Sequence, residues 1–149
     1  ITSIAMILSF YGRHVTPATL DAFLDTEDGY VGDSVVWAVA GRHEQARRTK
    51  LKYGRKRASP GALRTLLSKR IRQNRPTLVR VDYNVDQDIR YDHFVVCVGE
   101  TDRGDFIMND PATRLGDGYA NLNPDNLIEK TTRKNGYRMV QLDWYDQVT

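Results

Sequence analysis

The sequence predicts an α+β fold, with N-terminal helices packed on an antiparallel sheet. Three observations predict it. Apolar residues in the first part of the chain recur at helical spacing, those after residue 77 alternate or run together as strands do, and no stretch between is rich in Gly, Ser or Pro. With 149 residues and no linker, the chain is read as one domain, 1–149. It opens on Ile1 rather than Met, and the expectation is that the extreme N-terminus of the domain precedes it.

Each element has a local reason. Ile4, Ala5, Ile7, Leu8 and Tyr11 share one helix face, and Gly12 follows as a stop. Thr16 and Pro17 are an N-cap and a proline at the first helical position, and Leu20, Phe23 and Leu24 stripe that second helix. Residues 25–33 are acidic with two glycines and read as a loop. Residues 34–40, apolar around Trp37, read as a third helix ending at Gly41, and residues 49–53 as a short strand. Ser59 and Pro60 open a further helix with Ala62, Leu63, Leu66, Leu67 and Ile71 on its inner face. Beyond Pro76 the character changes. Leu78, Val79, Val81 and Tyr83 predict a strand over 77–83, and residues 94–98 are a continuous apolar strand that Gly99 stops. Asp102, Arg103 and Gly104 turn the chain into a returning strand over 105–108. Asn123 and Pro124 cap a short helix to Lys130, and residues 137–145 form a last strand.

Composition removes several classes. At 40% hydrophobic and 28% charged the chain is ordinary for a globular protein, and no apolar run reaches the roughly 18–20 residues of a membrane span. The apolar start, residues 1–10, has neither a basic flank nor a cleavage site and is not read as a signal peptide. One cysteine, Cys97, permits no internal disulfide, so the compartment stays open. No nucleotide-binding glycine loop and no Cys/His set at zinc spacing occurs, so neither cofactor nor metal is expected. Asp82, Asn84, Asp86 and Asp88 alternate like the start of a calcium loop. Its sixth position is Gln87 where Gly is needed and its twelfth is His93 where Glu is needed, which favours a solvated loop.

Charge is uneven behind the net +3. From Arg42 to Arg75 there are thirteen Lys/Arg and one acid, Glu44, while acids predominate from Asp82 to Asp125. Leu51, Leu63, Leu66, Leu67 and Ile71 interleave with the basic residues as core positions, which favours a solvated face of a packed element. An acidic partner protein, a phosphate-rich polymer and nucleic acid are the ligands such a face would take. Nucleic acid is not expected, since aromatic interleaving and reading motifs are missing.

His93 is the first candidate for chemistry. It opens the most apolar strand of the chain, and the turn at residues 102–104 returns the next strand toward it. That brings Asn109 or Asp110 beside the imidazole, where either would fix the ring's tautomer. A histidine with such a partner is half of a nucleophilic-catalysis site, or else a structural hydrogen bond. Cys97 is a poor nucleophile for it. Four residues along one strand is about 13 Å, against roughly 3 Å for proton transfer, and its apolar neighbours mark a core thiol. Thr2 and Ser3, at the start of the first helix, read as cap or packing residues.

Thr2, Ser3, Ile4, Ala5 and Met6 resemble the first helix of the bacteriocin-processing, double-glycine-leader peptidases and their relatives in the papain-like cysteine peptidase superfamily. The similarity continues through Gly12, Val15–Pro17, Gly29, Tyr30, Trp37 and residues 75–79. It is most specific at Asp92, His93, Phe94, Val95 and Val96, then Asn109, Asp110 and Pro111. The resemblance implies a papain-like fold, His93 as the catalytic histidine, Asp110 as the orienting acid and a peptide or polypeptide substrate. It places the nucleophilic cysteine one or two residues before Ile1 and an oxyanion glutamine earlier still. Two functions follow as expectations: a cysteine peptidase, if the intact protein carries that cysteine, or an inactive peptidase-fold module, such as a leader-peptide-binding domain or a phage particle component. Other domains of a longer protein are candidate partners.

Overall fold

A computed structural model describes residues 1–44, 50–82, 93–111 and 138–148. The expected helix at 123–130 and the acidic alternation beyond Asp82 lie outside the described residues. The architecture is mixed α+β, with helices ahead of antiparallel strand pairs, as the sequence predicts. The chain divides into two units, one of Ile1–Gly54 with Trp144–Thr149 and one of Arg55–Asp143.

In the first unit, helix α1 (Thr2–Phe10) buries Ser3, Ile4, Ala5, Ile7 and Leu8. It closes at Tyr11, and Gly12 then turns the chain at φ +78°, a conformation strained for any residue with a Cβ. Helix α2 (Pro17–Thr26) starts as predicted: the Thr19 N–H donates to Thr16 Oγ1 at 3.1 Å and the Thr16 N–H to Thr19 Oγ1 at 2.9 Å, a reciprocal cap worth about 1 kcal/mol. Leu20 and Leu24 are buried, and the Phe23 ring meets His43 edge-on at 5.0 Å.

The region after α2 departs from expectation. Within the expected loop and helix, β1 (Tyr30–Val31) and β2 (Ser34–Val35) form a small antiparallel hairpin. The helix α3 (Trp37–Ala40) occupies only the last four residues of the segment. Gly32, at φ +58°, takes the tight turn, and the β-branched pair Val35 and Val36 favours extended backbone. The carbonyls beyond α3 are held by buried Arg13, whose Nη1 donates to Gly41 O and His43 O, each at 2.6 Å. Tyr145 is fully buried and donates its hydroxyl to Trp37 O at 2.7 Å, and Tyr53 stacks on Trp37 with centroids 5.7 Å apart.

The second unit is organised by a sheet whose strand order is β3 (Lys50–Lys56), β7 (Arg138–Val148), β4 (Thr77–Asp82), β5 (His93–Glu100), β6 (Phe106–Asn109). β3 and β7 each give residues to both units. Helix α4 (Pro60–Arg72) is capped by Ser59, whose Oγ accepts from the Ala62 N–H at 3.3 Å, and Asn74 closes it at φ +56°. Leu63 and Leu67 are fully buried, each contributing about 1.5–3 kcal/mol. The rest of the expected inner face is less covered: Leu66 and Ile71 are half-buried and Ala62 is exposed. Arg70 is buried instead, its Nε donating to Thr77 Oγ1 at 2.9 Å.

Gly99 does not stop β5. A register shift between Cys97 and Gly99 leaves Val98 as an extra residue, and the strand continues to Glu100. The expected turn follows, with the Thr101 N–H donating to Asp105 O at 2.8 Å and Gly104 at φ +78°. A buried polar ladder completes the unit. Asp143 accepts from Arg55 Nε at 2.7 Å and from Gln141 Nε2, and Gln141 Oε1 accepts from Arg57 Nε at 2.6 Å.

Candidate active site

Strand parity decides which residues can meet. Thr77 faces α4, because Arg70 reaches it there. Thr77 pairs with Cys97 across β4 and β5, and side chains two apart on a strand share a face. Cys97, Val95 and His93 therefore lie on the α4-bearing face. On β6, Met108 pairs with Cys97 and shares that face, while Asn109 pairs with Val96 on the opposite one. Asp110, two residues beyond Met108, returns to the face that holds His93.

The side chains obey this. His93 Nε2 donates to Asp110 Oδ1 at 2.6 Å, a charge-assisted hydrogen bond when the carboxylate is ionised. Of the two sequence candidates the structure brings Asp110, not Asn109, to the imidazole. Asn109 Oδ1 is buried, with no hydrogen-bond partner among the described residues. The His93 and Asp110 side chains are partly covered, at 19% and 24% exposure. His93 sits in register with Val81, which is nearly buried, and a bulge lies beside it at Arg80 and Val81 where β4 meets β7. Bulges re-aim side chains at such strand ends. An ionised carboxylate at this position favours the tautomer of the ring that carries its proton on Nε2.

The remaining sequence candidates fall as follows. Cys97 is fully buried, its Sγ 3.6 Å from Gly99 O, and burial pushes its thiol far above the ordinary range. It is a core residue, as expected. Ser3 is buried in α1, and Thr2 is the first residue of that helix. Ile1 is the N-cap of α1, and its carbonyl accepts from the Ala5 N–H at 2.9 Å. The first-turn N–H groups beyond it form a positive helix end, where a thiolate or an oxyanion is stabilised. Among the described residues no cluster of three or more His, Cys, Asp or Glu could hold a metal, and no helix is long and apolar enough to cross a membrane.

Sequence reasoning missed the Val98 bulge and its consequence. Past it the parity inverts, so Glu100 and Phe106 face α4 where unbroken alternation would put Gly99. Ser68 Oγ then donates to Glu100, and the Arg64 guanidinium lies over the Phe106 ring at 5.3 Å. The glycine two residues after a buried cysteine was the available signal.

No curated protein and no solved structure matches the chain. A family model does, that of the Peptidase_C39 like family, over residues 1–140. That match takes in α1, the His93 strand and Asp110 alike, and the chain belongs to the Peptidase_C39 like family.

Proposed function

We propose that the protein is a papain-like cysteine peptidase with His93 as base and then acid, Asp110 as its orienter, and a nucleophilic cysteine directly ahead of Ile1. The 2.6 Å His93–Asp110 bond between two partly exposed side chains carries the reading. In the proposed cycle the thiol gives its proton to His93 Nδ1 and the sulfur attacks the scissile carbonyl. Asp110 compensates the imidazolium that results. First-turn N–H groups of α1 are the proposed donors to the tetrahedral oxyanion. The imidazolium then passes its proton to the leaving amine, the C–N bond breaks, and water releases the acyl group from sulfur as His93 again takes a proton. Family membership supports a peptide substrate. The resemblance of residues 2–6 and 92–96 supports the finer assignment, cleavage of a leader peptide as in bacteriocin processing.

The test uses the intact protein, including whatever precedes Ile1, and an electrophilic peptide probe read out by mass spectrometry. The expected result is one labelled cysteine adjoining Ile1, with labelling abolished by His93→Ala and retained by Cys97→Ala. A folded intact protein that carries the cysteine and is not labelled would overturn the peptidase reading. It would leave a peptide-binding or structural module, such as a leader-binding domain or a phage particle component.

A further inference from the structure

Asp21, on α2, is a charged side chain that acts on the head of α1. The two helices pack together, and the side chain of Ile1, the N-cap of α1, is exposed. Burial lowers the Ile1 amino group below its ordinary range, and the exposed Asp21 carboxylate raises it again. In a chain that continues upstream, the same atom is the peptide nitrogen joining Ile1 to the residue before it. The nucleophile of the proposed cycle is thus attached within reach of this negative charge.

The fold holds the carboxylate in place. Tyr30, at the start of β1, donates its hydroxyl to Asp21 Oδ1. A close turn after α2 brings Tyr30 there. Asp28 takes φ +54°, and the Gly29 N–H donates to Leu24 O at 2.8 Å. A Cβ on Gly29 would lie 2.7 Å from Leu24 Cα, a backbone atom, so a glycine is needed for the chain to fold back this closely. The Val36 N–H ties the far side of the hairpin to Gly29 O at 2.8 Å. A hydroxyl orders a carboxylate without neutralising it, and Tyr30, its pKa pushed up to about 12 by burial and then by Asp21, keeps its proton at neutral pH. Among the described residues no Lys or Arg pairs with Asp21.

We propose that Asp21 is a specificity-determining residue that selects substrates with a lysine or arginine beside the scissile bond, and that Tyr30 positions its carboxylate. The assignment rests on the peptidase reading. In that reading the scissile carbonyl meets both the sulfur ahead of Ile1 and the first-turn N–H groups of α1, so the residues adjoining the bond lie at the helix head. An extended peptide advances about 3.5 Å per residue, and a lysine or arginine beside the bond is long enough to span toward a carboxylate on the adjacent helix. A cation there is attracted by Asp21, an acid is repelled, and an uncharged residue meets neither force. A helix N-terminus by itself favours anions, so a preference for cations at this place is the mark of Asp21.

The test uses the intact protein and three electrophilic peptide probes that differ only in the two residues leading into the electrophile: Lys, Gln or Glu. The second-order rate of labelling is measured for each. The Lys probe should react about fivefold faster than the Gln probe, the ratio an exposed ion pair gives, and the Glu probe slowest, with the spread shrinking as salt rises. Asp21→Asn, nearly isosteric, should bring the three rates together, and Asp21→Lys should invert their order. Tyr30→Phe should narrow the spread and leave the Gln rate unchanged. Asp25→Asn, an equal loss of charge one turn along α2, should keep the order. Three equal rates on the wild type, a spread that survives Asp21→Asn, or a spread that Asp25→Asn abolishes equally would each overturn the assignment. A spread that survives while all three rates rise would place the effect of Asp21 on the thiol instead. Labelling by none of the probes would overturn the peptidase reading itself, whereas labelling without preference overturns only the role of Asp21.

Discussion

Replacing Asp110 by Asn separates a catalytic pair from a structural one. The two side chains are nearly the same size, so packing changes little. What is lost is the carboxylate charge 2.6 Å from His93 Nε2. A hydrogen bond to a charged group contributes about 1.5–3 kcal/mol when buried, and this pair is partly open, at 19% and 24% exposure, so about 1 kcal/mol is expected for the folded state. For a chain of this size that lowers Tm by about 2–4 °C. The effect on the reaction is larger, because an imidazolium forms there during the cycle. With charge centres about 4 Å apart and an effective dielectric of about 20, its attraction to the carboxylate is about 4 kcal/mol, or about 10³-fold in rate. The assay is the second-order rate of labelling by the peptide probe on the intact protein, beside a thermal melt of each variant. A rate within about threefold of wild type, well inside the 1.36 kcal/mol that makes a decade, would refute the orienting role and leave the bond structural. Asp110→Ala should reproduce the rate loss, which guards against an amide that reorients to donate to the ring.

Other outcomes follow from the same structure. Cys97 should resist thiol reagents at neutral pH in the native protein and react once the protein is unfolded in denaturant, since burial raises its pKa; rapid native labelling would contradict the core assignment. Leu67→Ala should cost about 2–5 kcal/mol by denaturant titration, and Leu66→Ala distinctly less, because only Leu67 is fully buried. Tyr30 should titrate late, at about 12 against an ordinary 10, owing to partial burial and then its donated hydrogen bond to Asp21. The unfolded chain loses that proton first, so stability is full below pH 10 and falls as pH rises from 10 toward 12. Tyr30→Phe should flatten that part of the stability profile, and an unchanged slope would show that other groups cause it.

The local chemistry of this chain was legible without coordinates. Thr16 with Pro17, and Ser59 with Pro60, fix two helix starts because a cap needs only its own neighbours. The apolar stripe of α1 and the alternation of β4 need only the period of the backbone. The hairpin from β5 to β6 needed only its turn, and with it came the neighbourhood of His93 and Asp110. Tertiary structure decided the rest. The choice of Asp110 over Asn109 is a matter of register, which the sequence states only to within one residue, and one residue reverses the face. Tyr30–Val31 and Ser34–Val35 became a hairpin because two short strands gained from pairing what isolated propensity does not measure. Gln141 and Asp143 are polar side chains on the last strand, and both are buried, since the arginines of β3 and the loop after it supply partners from more than 80 residues away. Glu100 faces α4 only because an extra residue at Val98 inverts the alternation. Local pattern names the residues that can pair, and long-range register chooses which of them do.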